Sequence, residues 1–234
     1  LAAFGASILH KSTIAPLVEQ AIPLHIRNTF RPEFGGTLIT NHQTAVGVKS
    51  IAVQEKVAFV HIEGKGFLGK KGIDARIFTT LQQLEISVNL IAQGSSENAI
   101  SFVIDAAAAK KAVKALQLEF ALELQLGEAH NIRYDKNIAV LTLIGQNLRH
   151  FSTAFKALND NNIKLLLVNN TVAGKNISLV LPAHQKLKAI RILHAQIFGV
   201  ATRINIAVVG KGTVGASFLD QLTELIPKYH HQKK

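Results

Sequence analysis

The apolar positions of this chain change period several times, and each change marks an element. From Lys56 to Ile62 the residues are apolar and rich in β-formers, which predicts a buried strand. Glycines then crowd the stretch from Gly64 to Gly72. Ile73, Ile77, Leu81 and Leu84 follow at helical spacing and predict a helix over Ile73–Leu84. Ile86–Ala92 reads as a second strand, Gln93–Asn98 as a polar turn and Ala99–Ile104 as a third strand. Ala106–Leu124 predicts one long helix, with Val113, Leu116, Phe120 and Leu124 on its buried side. The same order then starts again, with strand Ile138–Ile144, helix Ser152–Leu158, strands Ile163–Val168 and Asn176–Leu181, and helix Ala183–Phe198.

The repetition extends to residue identity. Phe78 and Phe155 stand 77 apart, and the same offset joins Leu81 to Leu158, Ile86 to Ile163, Ile100 to Ile177, Ser101 to Ser178 and Leu116 to Leu193. Earlier in each unit the offset is 81, from Gly64 to Gly145, so the second unit is four residues shorter between Leu148 and Phe155. A fixed offset of this kind marks a duplicated supersecondary unit. Strand–helix–strand–strand–helix with a closing strand is the ferredoxin-like pattern. The expected fold is therefore α+β, with two βαββαβ units side by side.

The flanks read differently. Residues 1–22 carry helical signals, with Ser12 or Thr13 as the N-cap and Pro16 in the first turn. Pro23–Asn28 alternates like a strand, Phe30–Thr37 is a turn, and residues 40–50 read as a polar linker loop. After Gly199 a strand is expected over Arg203–Val209, then a glycine turn and a helix over Ala216–Leu225.

Composition narrows the function classes. With 48% hydrophobic and 18% charged residues among 234, the chain is globular in character and long enough for one large or two small cores. No apolar run reaches the roughly 20 residues of a membrane helix, and the N-terminal residues do not form a signal peptide; a cytoplasmic address is expected. Zero cysteines exclude disulfides, thiolate metal sites and cysteine nucleophiles. Zero methionines and an opening leucine suggest a piece of a longer protein. The net charge of +11 raises the prospect of acidic or nucleic-acid partners, but the cations are scattered apart from Lys228, Lys233 and Lys234, as on a solvated surface. Of ten histidines only His230 and His231 are adjacent, and no metal site is expected. Glu119 and Glu123, four apart on a helix, read as a solvated pair.

Two stretches carry candidate chemistry. Glycines at 64, 66, 69 and 72 let backbone approach a ligand closely, and the helix that follows offers free amides and a positive dipole end to a carboxylate. Gln93 has a donor and an acceptor for a zwitterion or hydroxyl, and Phe67 and Leu68 offer apolar cover. The pattern alone equally allows glycines that only shape a strand–helix turn, with Gln93 solvated. Gly210-Lys211-Gly212-Thr213-Val214-Gly215 is a complete G-x-G-x-x-G between an expected strand and helix, the context of a dinucleotide cradle. With one βα unit and no acidic residue on a following strand, little cofactor affinity is expected from this stretch alone.

Several segments resemble the aspartokinase–homoserine dehydrogenase family. Phe4-Gly5-Ala6-Ser7-Ile8-Leu9-His10 resembles the segment closing the kinase part, and Ile22–Thr29 with Gly36-Thr37-Leu38-Ile39 is similar to the strand and turn that follow. Gly64–Gly69, Gly72–Phe78, Ile86-Ser87-Val88, Gln93-Gly94-Ser95-Ser96-Glu97 and Ile100-Ser101 resemble the first ACT unit. Ile204–Gly210 resembles the start of the dehydrogenase. The resemblance implies residues 1–50 as the end of the kinase and a linker strand, 51–133 and 134–200 as the two ACT units, and 201–234 as a truncated Rossmann βα unit opening the NAD(P)-binding domain. It further implies a regulatory module without catalysis of its own, whose effector, L-threonine or a related amino acid, is contacted by Gly66, Phe67, Leu68, Gly69, Gly72, Gln93 and Ser95, with Asn170 as the counterpart of Gln93. Gly210, Gly212, Thr213, Val214 and Gly215 would hold cofactor in the parent protein, which uses ATP with Mg and NAD(P). In the second unit Asn170-Thr171-Val172-Ala173-Gly174 replaces the glutamine–glycine–serine–serine–glutamate run, and the loop Gly145–His150 is the shortened one, which puts that site in doubt. A homodimer is expected, since ferredoxin-like sheets have edges that pair. The alternatives are a dimerising connector without effector and a basic RNA-binding ferredoxin-like protein. The second is disfavoured because Leu68-Gly69-Lys70 after Lys65-Gly66-Phe67 supplies no stacking aromatics.

Overall fold

The computed structural model describes residues 11–40, 46–67, 69–94, 99–148, 152–199, 208–210 and 212–231. The chain divides into two compact units, with the boundary between Gly199 and Val200. In the larger, helix α1 (Lys11–Glu19) holds Pro16 in its interior rather than its first turn. Among the described residues, strands β1 (Leu24–Ile26) and β2 (Thr37–Ile39) pair only with each other, as an antiparallel ribbon.

Two four-stranded antiparallel sheets follow. The first contains β4 (Val57–Glu63), β5 (Val88–Gln93), β6 (Ala99–Asp105) and β7 (Asn131–Asp135), in the order β5-β6-β4-β7. The second contains β3 (Gly47–Gln54), β8 (Ile138–Gln146), β9 (Leu167–Asn170) and β10 (Asn176–Pro182), in the order β9-β10-β8-β3. The orders match, except that β3 stands where β7 stands in the first sheet. The last four residues of the stretch expected to be a linker up to residue 50, Gly47 to Ser50, thus belong to the closing strand of the second sheet. Val48, Ile51 and Val53 turn to that unit's core, with a bulge between Val48 and Ser50. The bulge breaks the two-residue alternation and hides the strand in the sequence. It also follows that a contiguous stretch from 134 to 200 does not contain the whole second unit, because the first unit lies between β3 and β8.

One face of each sheet carries helices. In the first unit α2 (Ile73–Gln83), α3 (Ala109–Glu119) and α4 (Ala121–Gln125) cover Ala58, Val60, Ile62, Phe102 and Ile104. In the second, α5 (Ser152–Asp160) and α6 (Lys186–Phe198) cover Leu141, Leu143, Ile177, Leu179 and Leu181. The single helix expected over Ala106–Leu124 is interrupted at Phe120, whose φ of −103° and ψ of 25° leave the helical region. Its fully buried ring is held by tertiary packing that overrides helical continuity. The helix-free faces of the two sheets meet through a third cluster: Val57, Val103, Phe59 and Leu90 of the first against Ile138, Val140, Leu167 and Val180 of the second. Thr142 and Ser178, buried on the same face of the second sheet, satisfy one another at 3.0 Å.

The duplication is visible in backbone detail. The Ala106 amide donates to the Lys56 carbonyl at 2.9 Å, and the Ala183 amide to the Asn137 carbonyl at 2.8 Å. Gly64 and Gly145 occupy matching places where the closing strand, or for Gly64 the turn leading into it, passes so near that no side chain fits. A Cβ on Gly64 would lie 2.5 Å from the Glu128 carbonyl oxygen, and one on Gly145 would lie 2.8 Å from Val48 Cα. Gly64→Ala and Gly145→Ala are each expected to lower unfolding free energy by about 2 kcal/mol, as overpacking against immovable backbone does. Gly69→Ala, whose Cβ meets nothing within 4 Å, should incur only the left-handed backbone cost of about 1 kcal/mol. Urea midpoints of the three variants check that order.

Candidate functional site

Strands β4 and β5 are both antiparallel to β6, which lies between them, so they run parallel to each other. Their ends, Glu63 and Gln93, therefore emerge at the same end of the sheet, roughly 10 Å apart by strand spacing. The loop 64–72 crosses this end. It makes a 3-10 turn at Lys65–Phe67, then passes through positive φ at Gly69 (71°) and Gly72 (88°). Gly72 immediately precedes α2, and no side chain caps that helix. The structure thus brings Gly66, Gly69, Gly72 and the exposed Gln93 to one end of the first unit, beside the positive end of a helix dipole. Leu68 and Ser95 lie outside the described residues. Phe67 is placed differently from expectation. It is 1% exposed and packs in the core with its ring centroid 5.5 Å from that of Phe120, so it anchors the loop from below instead of covering its outer side.

Sequence reading missed the ionic cluster beside this loop. Arg76, in the first turn of α2, donates to the Glu119 carboxylate at 2.7 Å, to the Glu119 backbone carbonyl at 2.8 Å and to the Glu123 carboxylate at 2.5 Å. Its guanidinium lies over the Phe120 ring, 4.3 Å from the centroid. Lys70 of the loop pairs with Glu128 at 2.5 Å. Glu119 and Glu123, expected to be a solvated pair, instead face α2, and Glu123 is buried. Its second oxygen has no hydrogen-bond partner. The hydrogen bond from Arg76 holds the Glu123 carboxyl below the ordinary glutamate range, against the opposing effect of burial, with a smaller contribution from Lys70. Partners 43 and 47 residues apart leave no local signal in the sequence.

The second unit repeats the frame and alters the site. Asn170 pairs with Ile177 as Gln93 pairs with Ile100, and Leu148, the counterpart of Phe67, is likewise buried. After β8, however, the loop is closed by its own hairpin. The Leu148 amide donates to the Gly174 carbonyl at 3.0 Å, and the Gly145 amide to the Lys175 carbonyl at 2.9 Å. Amides of the loop region are thus satisfied within the unit, as in the first loop the Phe67 amide is by the Gly64 carbonyl at 3.2 Å and the Lys70 amide by the Phe67 carbonyl at 3.1 Å.

The smaller unit contains helix α7 (Thr213–His231), longer than the stretch expected from Ala216 to Leu225. Residues 203–207 of the expected strand lie outside the described residues. An open groove of about 550 Å³ is lined by Val208, Val209, Gly210, Gly212, Thr213, Val214, Gly215 and Phe218. Gly210 has a φ of 99°, and a Cβ on Gly215 would press on the Gly210 carbonyl. Glycine is therefore required at both places, which fits the tight turn and close helix approach of a phosphate cradle. Among the described residues no cluster of three or more histidines or carboxylates could hold a metal, and no helix is long and apolar enough to cross a membrane.

An ACT-domain family model matches residues 60–120. The bifunctional aspartokinase/homoserine dehydrogenase of Haemophilus influenzae is 30% identical over 228 residues, covering 95% of this chain and 28% of that protein. The chloroplastic bifunctional aspartokinase/homoserine dehydrogenase of Daucus carota is 31% identical over 234 residues, covering 94% and 25%. The chain carries the ACT region of the aspartokinase–homoserine dehydrogenase family. It spans about a quarter of the length of these relatives. Solved structures agree on the fold. Clostridium acetobutylicum aspartate kinase superposes with a TM-score of 0.70 at 20% identity, over 81% of this chain and 45% of that one. The regulatory subunit of aspartate kinase from Thermus thermophilus gives 0.54 at 21% identity, over 64% of this chain and 98% of that one.

The family model covers the first unit's loop, α2 and α3 up to Phe120, so Arg76 and Glu119 lie inside the matched ACT segment and Glu123 just beyond it. Titration of that cluster is measurable. A carboxyl whose folded pKa is depressed stabilises the protein above its unfolded pKa, and this contribution is lost as pH falls through the folded value. Stability of the parent chain is thus expected to decline more steeply than that of Glu123→Gln between about pH 5 and about pH 3. Denaturation midpoints across that range, with the gap between the two proteins narrowing towards acid, check this.

Proposed function

We propose that this chain is an allosteric sensor that binds an aspartate-family amino acid, L-threonine foremost, for feedback control of an aspartate kinase and a homoserine dehydrogenase. The observation that carries the reading is the convergence of loop 64–72, the uncapped start of α2 and Gln93 at one end of the first sheet. An α-carboxylate suits the helix amides and dipole, and the Gln93 amide has a donor and an acceptor for ammonium and hydroxyl. Gly66, Gly69 and Gly72 keep the backbone approachable, with Leu68 and Ser95 completing the proposed contacts. Phe67 contributes by fixing the loop. The names of the relatives from Haemophilus influenzae and Daucus carota support the two activities, and aspartokinase III of E. coli has been solved in complex with lysine and aspartate. ATP with Mg for the kinase and NAD(P) on the Gly210–Gly215 turn for the dehydrogenase belong to the same proposal, as do homodimer formation and a cytoplasmic location.

Calorimetric titration with L-threonine, with L-lysine and L-serine as controls, tests the reading. Saturable heat with threonine at about one site per chain is expected, because the second unit's loop is closed by its own hairpin. Gln93→Ala should weaken binding about tenfold or more, the cost of removing a hydrogen bond to a charged ligand. A stoichiometry near two would instead show that Asn170 forms a working site. Absence of heat with all three amino acids would leave the chain as a connector between catalytic domains.

A further inference from the structure

Among the described residues the ionic cluster beside the first loop has no counterpart in the second unit, although the two units share one frame. The places matching Phe67, Arg76, Glu119 and Phe120 hold Leu148, Thr153, Gln196 and Ile197 by the offsets of 81 and 77. The second unit builds its sheet and both helices with these residues. A part-buried arginine–glutamate pair is therefore not something this fold requires, and such pairs stabilise little once screening and desolvation are counted. What the first unit has that the second lacks is a loop four residues longer with glycines at positive φ, Gly69 and Gly72. Loops of this kind bind weakly unless something fixes them beforehand, since ordering them consumes binding energy.

The contacts form one column from the loop to the helices. The Phe67 ring rests on Phe120, the Arg76 guanidinium lies on Phe120, and Arg76 grips Glu119 and Glu123 while Lys70 holds Glu128. The column grips the loop near its middle, at Phe67 and Lys70, and just past its end, in the first turn of α2. We propose that Arg76 and Glu123 are positioning residues for the effector: they hold loop 64–72 and the start of α2 in the binding geometry without touching the ligand. This rests on the amino-acid-sensing reading given above. Arg76 suits the task because a planar guanidinium can lie on an aromatic ring and bridge two carboxylates at once, which an ammonium cannot do.

The test uses the whole chain and three variants, Glu123→Gln, Arg76→Lys and Glu119→Gln, with two readouts. The first is amide hydrogen exchange across residues 69–76 without any amino acid present. The second is the Kd for L-threonine. Glu123→Gln and Arg76→Lys are expected to speed exchange in that segment and weaken threonine binding about tenfold, while exchange in β8 and β10 stays as in the parent chain. Glu119→Gln should do less, because the Glu119 backbone carbonyl keeps its bond to Arg76. If melting temperature falls while segment exchange and Kd are unchanged, the cluster is only structural and the inference is overturned. If the parent chain binds none of the amino acids, the sensing reading fails. The effector-positioning inference falls with it, and the exchange readout then shows separately whether the cluster holds loop 64–72 and the start of α2.

Discussion

Two links of two residues each govern the arrangement of the larger unit. Strand β3 ends at Gln54 in the second sheet, and β4 begins at Val57 in the first; β7 ends at Asp135 in the first, and β8 begins at Ile138 in the second. Only Glu55-Lys56 and Lys136-Asn137 span these steps. Connections so short cannot carry the chain around a helix layer, so the sheets must meet through their helix-free faces. Each link is fixed in place. Lys56 takes a φ of 57° and receives the Ala106 amide, Asn137 donates its amide to the Asp135 side chain at 2.7 Å and receives the Ala183 amide, and Lys186 of α6 pairs with Glu55. The apolar contact of Val57, Phe59 and Val103 with Ile138, Val140 and Val180 begins beside those links. Its burial follows from the connectivity as much as it stabilises it.

Most of the fold was legible because duplication tests itself. A repeat at a constant offset requires its elements to match in type and order, and the strand registers Gln93–Ile100 and Asn170–Ile177 carry that offset into the hydrogen-bond ladder. The parts that were not legible share a physical cause. The closing strand of the second sheet precedes the first unit in the chain, so no offset points to it, and its bulge disrupts the alternation that would mark it. The break at Phe120 comes from the ring contacts with Phe67 and Arg76, which the helical pattern of Val113, Leu116 and Leu124 does not register. Glu119 and Glu123 looked solvated because four-residue spacing on a helix describes any outward ridge. Only the packing of α2 against α3 turns that ridge towards Arg76.

The candidate site was legible in its ingredients and not in its anchoring. Glycines, an uncapped helix start and a glutamine after a strand are local features, and the topology of β4, β5 and β6 brings them together as the pattern implied. The Phe67 side chain shows the limit of that reading. An aromatic within a glycine loop reads as ligand cover, yet with room beneath the loop and Phe120 waiting there, its apolar surface is removed from water by turning inward, a gain of about 2 kcal/mol. The loop thereby gains a fixed floor and leaves its outer side to backbone and polar groups.

Comparison of the two units makes the division of labour a physical one. Both present a turn after the first strand and a polar residue at the end of the edge strand. In the second unit the hairpin carbonyls of Gly174 and Lys175 take the amides of Leu148 and Gly145, which closes the loop with ordinary backbone hydrogen bonds. Nothing further is then required to hold it, and no ionic column is present at Thr153, Gln196 and Ile197. In the first unit the loop is longer and carries left-handed glycines that confer freedom, and side chains around it add to its rigidity. Arg76, Glu123 and Glu128 hold it from outside, Glu128 through Lys70 of the loop itself. A loop held by its side chains from below is an arrangement that suits a small zwitterion.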